Sequence, residues 1–405
     1  MAKFFIIFFS LFFCSTFAFS KDYKIEELLQ LAEQNSANIK AANYYALSQK
    51  HLANQQKYWN NPSINFGSIN SQNTYGVSQT IPFFGKLQNK YDIEEAEFRI
   101  LETRKNNTAL FVKAEVFSLL YRYQALKQKI ELAKKRLDRL SSVDKYLRGI
   151  ALNSPTKRAQ ARITKDRIKL IERDLLKYRN EAFQVWNSAN IFLNLEDEPD
   201  KIVLNWIDDK SYKGRQFLID TAIENNFDLK EQRLLVKKYK SELAFSKIEQ
   251  MPDVNVSVTR EENTSATLNG RDSTGVGLSV SIPLFNRNQE KTVSAHSKIN
   301  AQKYELEFRT NQLINLISND INEFEVSLKL TEEFPATSIK KILTNLNQAN
   351  GDFKRGVLDF TTYIELDSQE YQMIDTVIDT QVQVANSYAG LMTKIGNFIL
   401  PENEQ

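Results

Sequence analysis

Side chains able to carry out chemistry are few and scattered along this chain. There is one cysteine, Cys14, and two histidines, His51 and His296. Met251, Met373 and Met392 stand at no ligand spacing from either histidine. A metal site needs several N, S or O donors at short, defined intervals, and none is present. No Gly-rich phosphate loop and no nucleophile elbow occurs. The carboxylate pair Asp208-Asp209 falls in a loop, where solvated charge accounts for it. The chain is therefore expected to be no enzyme, with no catalytic residue, no metal site and no cofactor. Its function must lie in the elements themselves.

Those elements are long. Only 12 glycines and 8 prolines interrupt 405 residues, and so few breakers imply extended helices. The start is different. Lys3, an apolar run from Phe4 to Phe13 broken only by Ser10, and Ala18-Phe19-Ser20 form the pattern of a cleaved secretory leader over residues 1–20. Cys14 lies within it, behind the bulky Phe13, which argues against lipidation. The formal net charge is +3, one unit of it from Lys3. That is no footprint for nucleic acid. No later stretch approaches the roughly 18 apolar residues of a membrane helix, so any membrane crossing must be made by strands.

The sequence is duplicated. Leu31 to Lys40 matches Thr221 to Lys230 at an offset of 190, and Asn61-Pro62 matches Met251-Pro252 at the same offset. Ile81-Pro82-Phe83-Phe84 matches Ile282-Pro283-Leu284-Phe285 at 201, and Arg148-Gly149-Ile150 matches Arg355-Gly356-Val357 at 207. The order is kept while the offset grows slowly, as in a tandem repeat. The expected units are residues 21–196, a linker over 197–216, and residues 217–405.

Each unit predicts a helix, two strands, a long helix, a turn and a second helix. Val254, Val256 and Val258 alternate with polar residues, as do Val276, Leu278, Val280, Ile282 and Leu284. Ile64, Phe66, Tyr75, Val77, Ile81 and Phe83 repeat this more weakly. Period-2 alternation puts one face in an apolar medium and one in a polar medium. The helices carry heptads: Leu119, Leu126, Ala133 and Leu140 with Tyr123, Ile130 and Leu137, then Ile168, Ile171, Leu175, Tyr178, Ala182 and Val185. Ile314, Ile317, Ile321, Phe324 and Leu328 follow the same steps, as do Tyr371, Ile374, Ile378, Ala385 and Tyr388. Sustained a/d spacing predicts coiled-coil packing. Ser154-Pro155 reads as a helix start, Asp359 as a cap, and Pro335 as a break between Glu332 and Thr337. Asn194 and Gly396 stand at the ends of the two return helices, in positions for left-handed caps.

Four strands cannot close a barrel, and open edges are not tolerated in lipid. Three copies would supply twelve strands around an aqueous lumen, with the helical hairpins extending as a second tube.

The duplicated layout, Asn61-Pro62, the run Ser78 to Lys86, the run Gly277 to Gln289 and the segment Tyr363 to Gln369 resemble the TolC family of outer-membrane efflux proteins. Pro283-Leu284-Phe285-Asn286-Arg287-Asn288-Gln289 most resembles the heavy-metal branch, the CzcC/CusC-like subunits. The resemblance covers nearly all of the chain beyond the leader. It implies a mainly α fold with a small β part. It also implies a homotrimer in outer-membrane lipid, with a 12-stranded barrel and a periplasmic α-barrel. The implied partners are a periplasmic adaptor and an inner-membrane pump, often of the resistance-nodulation-division class. The expected cargo includes divalent metal cations; a duct for type I protein secretion or organic drug efflux is the alternative within the family, and a periplasmic adaptor or coiled-coil scaffold the alternative outside it. By position the gate candidates are Asp359, Glu365 and Asp367, which threefold symmetry would turn into carboxylate rings favouring cations. Arg148, Gly149, Arg355 and Gly356 mark the tips expected to meet the adaptor.

Overall fold

The computed structural model describes residues 22–69, 72–150, 154–199, 201–204, 207, 214–263 and 272–401. The leader with Cys14, and Asp208-Asp209, lie outside the described residues. The first half contains β1 (Asp22–Lys24), α1 (Ile25–Asn35), α2 (Ala37–Gln55), β2 (Ser63–Ile69), β3 (Gln72–Ile81), α3 (Lys86–Ile150) and α4 (Pro155–Leu193). The second contains β4 (Lys201–Val203), α5 (Arg215–Asn225), α6 (Phe227–Glu249), β5 (Val254–Asn263), β6 (Ser273–Val280), α7 (Gln289–Glu333), α8 (Ser338–Arg355) and α9 (Phe360–Ile395).

Each half opens with two short helices where the sequence predicts one. The breaks fall at Ser36 (φ −56°, ψ 120°) and, 190 residues later, at Asn226 (φ −54°, ψ 129°). Asn226 caps α6 by accepting the Leu229 N–H, and its side-chain amide donates to the Lys394 carbonyl at 2.9 Å. Asn35 donates to the Leu193 carbonyl at 2.7 Å. Each break thus satisfies a carbonyl at the end of a return helix, where intrahelical partners run out. The return helices end in left-handed residues at Asn194 (φ 51°) and Gly396 (φ 78°), as the sequence predicts. At Gly396 a Cβ would lie 2.4 Å from the Asn225 carbonyl oxygen, so only glycine fits. β1 pairs in parallel with β4, Tyr23 opposite Ile202, which ties the start of the chain to the connection between the halves.

The heptad positions form the core. Tyr123, Leu126, Ile130, Ala133 and Leu140 of α3 are buried, with Ile171, Leu175, Ala182 and Val185 of α4, and Leu119 and Leu137 pack at the margin. Ile317, Ile321, Phe324 and Leu328 of α7 and Ala385 and Tyr388 of α9 join the same core. The α3 helix has 65 residues, about 100 Å at 1.5 Å per residue. On the opposite arm Pro335 stops α7 at Glu333, and the chain restarts as α8 at Ser338. Proline lacks the N–H that would bond one turn back, and its ring clashes with that turn. α8 and α9 pack in a separate cluster, Ile339, Ile342, Leu346, Tyr371, Ile374, Val377 and Ile378, against Leu132 of α3. Among the described residues no helix is long and apolar enough to cross a membrane.

Candidate functional site

The site is built from three parts: a sheet, the junction beneath it, and the far ends of the helices. The sheet has the order β2-β3-β5-β6, antiparallel throughout. Its register aligns the alternating residues of all four strands. Ile64 lies opposite Val77, Val77 opposite Val258, and Val258 opposite Val276; Val256 lies opposite Leu278. One face therefore carries apolar residues in every strand, interrupted by Gln79 opposite Val256 and by Arg260 opposite Tyr75. The Phe66 and Tyr75 rings meet edge-on on it at 4.7 Å. The other face carries Asn65, Thr74, Ser78, Thr80, Asn255, Ser257, Thr259 and Ser279, with Gly76, Gly275 and Gly277 between them. On the apolar face Ile64, Phe66, Val276 and Leu278 are 71–81 % exposed. An uncovered apolar sheet opposite a hydroxyl-rich one suits lipid outside and water inside.

The sheet is joined to the helices at a fixed corner. Gly85 takes φ 87° between β3 and α3. Asp253, just before β5, accepts the Phe83 N–H and the Lys86 ammonium, both at 2.8 Å. Lys86 is almost fully buried there. Partial burial works against the Asp253 charge, but the Lys86 bond and the Phe83 amide prevail and hold its carboxyl below the usual range. The same corner in the second half uses the left-handed Asn288, whose amide donates to Glu249 at 3.0 Å.

At the far end the carboxylates predicted as one group occupy three environments. Asp359 caps α9, accepting the Thr362 hydroxyl at 2.5 Å and its N–H at 3.0 Å. These bonds hold its carboxyl below the usual range. Glu365 is exposed and accepts from Gln369 one turn on. Asp367 is fully buried. One of its oxygens accepts from Arg139 at 2.6 Å, and the other pairs with Arg136 at 2.8 Å. Both guanidinium groups lie over the Tyr371 ring, 4.3 and 5.2 Å from its centre. Asp367 thus faces α3 of its own chain and offers no free carboxylate to the outside. Nothing in sequence announces this triad, because Arg136 and Arg139 sit in a basic stretch that resembles a solvated face. Farther from the tip, Lys129 bridges to Asp379 at 2.8 Å and to Asp375 at 3.7 Å. Burial pushes the Asp375 carboxyl up against the pull of Lys129.

The two tips differ from their predicted symmetry. Gly356 is left-handed (φ 77°) and ends α8, with the Val357 N–H returning to the Asp352 carbonyl. Gly149 is helical inside α3, which continues to Ile150. Gly149 lies in the last turn of α3, one residue before its end, and takes no positive φ there. Arg148 pairs with Asp144 and Arg355 with Asp352, each within its own helix. The cavity beside Tyr121, Gln124, Gln128, Leu204, Ile207 and Gln381 has about 150 Å³. Ligand pockets usually span roughly 300–1,000 Å³, so this one is small for a cargo.

The family model for outer membrane efflux proteins matches residues 218–397. The match falls on the second of the two repeats. Solved structures agree in fold. CusC superposes with a TM-score of 0.73 at 13% identity, covering 92% of either chain. The outer-membrane channel OprN gives 0.73 at 11% identity, covering 92% of this chain and 90% of its own. The open state of the MtrE outer membrane channel of Neisseria gonorrhoeae gives 0.72 at 13% identity, covering 94% and 91%. No curated protein matches the sequence. Among the described residues no cluster of potential metal ligands occurs.

Proposed function

We propose that this protein is an outer-membrane efflux channel, the exit duct of a tripartite pump, and works as a homotrimer whose three sheets close one barrel. The observation that carries the proposal is the four-stranded sheet, mainly apolar on one face and polar on the other, with both edges unpaired among the described residues. Unpaired backbone groups in lipid cost several kcal/mol each, so such a sheet must close on further copies. The helical arms then continue the lumen. A periplasmic adaptor meets their tips around Arg148, Gly149, Arg355 and Gly356, and an inner-membrane pump, in our reading of the resistance-nodulation-division class, supplies the energy. Divalent metal cations are the favoured cargo, on the strength of the run Pro283 to Gln289; their selection belongs to the pump.

The shut state is held where α9 packs on α3. The Arg136–Asp367–Arg139 triad fastens α9 internally, while Asp359 and Glu365 remain as surface carboxylates that trimerisation would multiply into rings. An adaptor opens the duct by binding the open arrangement more tightly than the closed one. Planar-bilayer recording tests this. Purified protein should give trimer-sized, cation-preferring channels. Asp367→Ala should raise the open fraction, and Asp359→Ala or Glu365→Ala should reduce cation preference. Absence of membrane insertion by a folded protein would refute the duct.

A further inference from the structure

Beside the Pro335 break the helices enclose a cavity that the duct leaves unused. We propose that it is a binding site for an N-acetylated amino sugar, with the acetamido group inside and the sugar ring at the mouth. The site goes beyond the duct and does not depend on trimerisation.

The lining is drawn from four separate parts of the chain. α3 supplies Gln124 and Gln128, one helical turn apart, and α9 supplies Gln381. Thr331 comes from the last turn of α7, just ahead of Pro335. Leu204 and Ile207 come from the connection between the halves. Three carboxamides and a hydroxyl thus share one small space, and no charged side chain lines it among the described residues. Burial pushes the Tyr121 phenol above its ordinary range, so it too stays neutral. An ionic occupant would lose hydration with no opposite charge to replace it.

The lining also defines what a neutral occupant must carry. Each carboxamide offers a donor and an acceptor, and so complements a group that offers both. Most of the lining is apolar, so the occupant needs an apolar part as well. A secondary amide ending in a methyl group has all three. The cavity measures about 150 Å³, a size that admits benzene in an apolar cavity. An acetamido group is smaller than that, whereas a substituted sugar ring is larger and stays at the open side. Gln381 supplies the most specific observation. Its Nε2 is shielded from solvent and has no hydrogen-bond partner among the described residues. A buried donor without an acceptor bears its full desolvation cost, and the acetamido carbonyl supplies that acceptor. Gln124 and Gln128 are half-buried, and either side-chain carbonyl can accept the acetamido N–H.

Saturation-transfer NMR on the purified full chain, in a sugar-free detergent, tests the site. The probes are N-acetylglucosamine, glucose and glucosamine, and the expected dissociation constant for the first is on the order of 1 mM. The acetyl methyl of N-acetylglucosamine should receive the strongest transfer, while glucose and the cationic glucosamine receive none. Gln381→Leu keeps the bulk but removes the donor, and should weaken binding about tenfold. Ala125→Leu fills the cavity from α3 and should abolish the transfer; it decides the matter if Gln381→Leu fails to fold by circular dichroism. The site is overturned by wild type giving no transfer to the acetyl methyl, or by equal transfer to glucose. It is equally overturned by a folded Gln381→Leu or Ala125→Leu that keeps full transfer. Each of these results leaves the bilayer test of the duct unaffected, because the probes require no membrane insertion.

Discussion

The two helical arms are copies of one design that differ at a single kind of place. α3 runs unbroken from the sheet to the tip, whereas its counterpart is cut by Pro335 into α7 and α8. The unbroken arm packs with α4 along its heptads in the main core. In the broken arm, the first part of α8 and the middle of α9 form a cluster of their own with Leu132 of α3, while Ala349, Phe353, Phe360 and Tyr363 nearer the tip rejoin the main core. The two arms are then fastened together by one buried ionic triad, Arg136 and Arg139 of α3 with Asp367 of α9. The first half thus provides a continuous strut. The second provides a jointed arm leaning on it, which is where a gate would need its freedom.

The triad offers the largest way to break this comparison. Asp367→Ala leaves two guanidinium groups facing each other in the interior. A loss of about 3–5 kcal/mol in the chemical denaturation of the helical region, followed by circular dichroism, is expected. Replacing all three residues by apolar ones of similar volume should restore most of it, because the desolvation cost disappears with the charges.

The joint comes next. Gln128→Pro in α3 would give the strut a break at a matching depth. It should cost about 3 kcal/mol in the same measurement, whereas Pro335→Ala should change stability little, since the chain already bends there. Equal losses from both would show that the arms are mechanically alike.

The smallest effect concerns the corner under the sheet. Lys86→Ala removes the partner of Asp253. Because Asp253 is more than one-third exposed, the loss should be at most about 1 kcal/mol. The folded-state pKa of Asp253 lies below its ordinary value of 3.8. The Lys86 contribution is therefore full above about pH 4 and fades as pH falls through the folded pKa. Wild type and Lys86→Ala should converge in thermal stability at acid pH and separate at neutral pH.

Much of this architecture was legible in the residues. Alternating valines gave the strands, heptads gave the buried stripe, and Pro335, Ser154, Asp359, Asn194 and Gly396 gave helix ends where the structure has them. These are local signals, set by backbone chemistry and by the period of apolar residues. The extra breaks at Ser36 and Asn226 were hidden because their carbonyl partners lie near the ends of distant helices.

By itself, then, the sequence determined the element types, the duplication and the two-faced strands, because periodicity and capping depend on near neighbours. Only the tertiary structure decided which charges are buried together. Arg139 and Asp367 are 228 residues apart, and no local pattern distinguishes a lysine or arginine on a solvated face from one that will meet a carboxylate in the core.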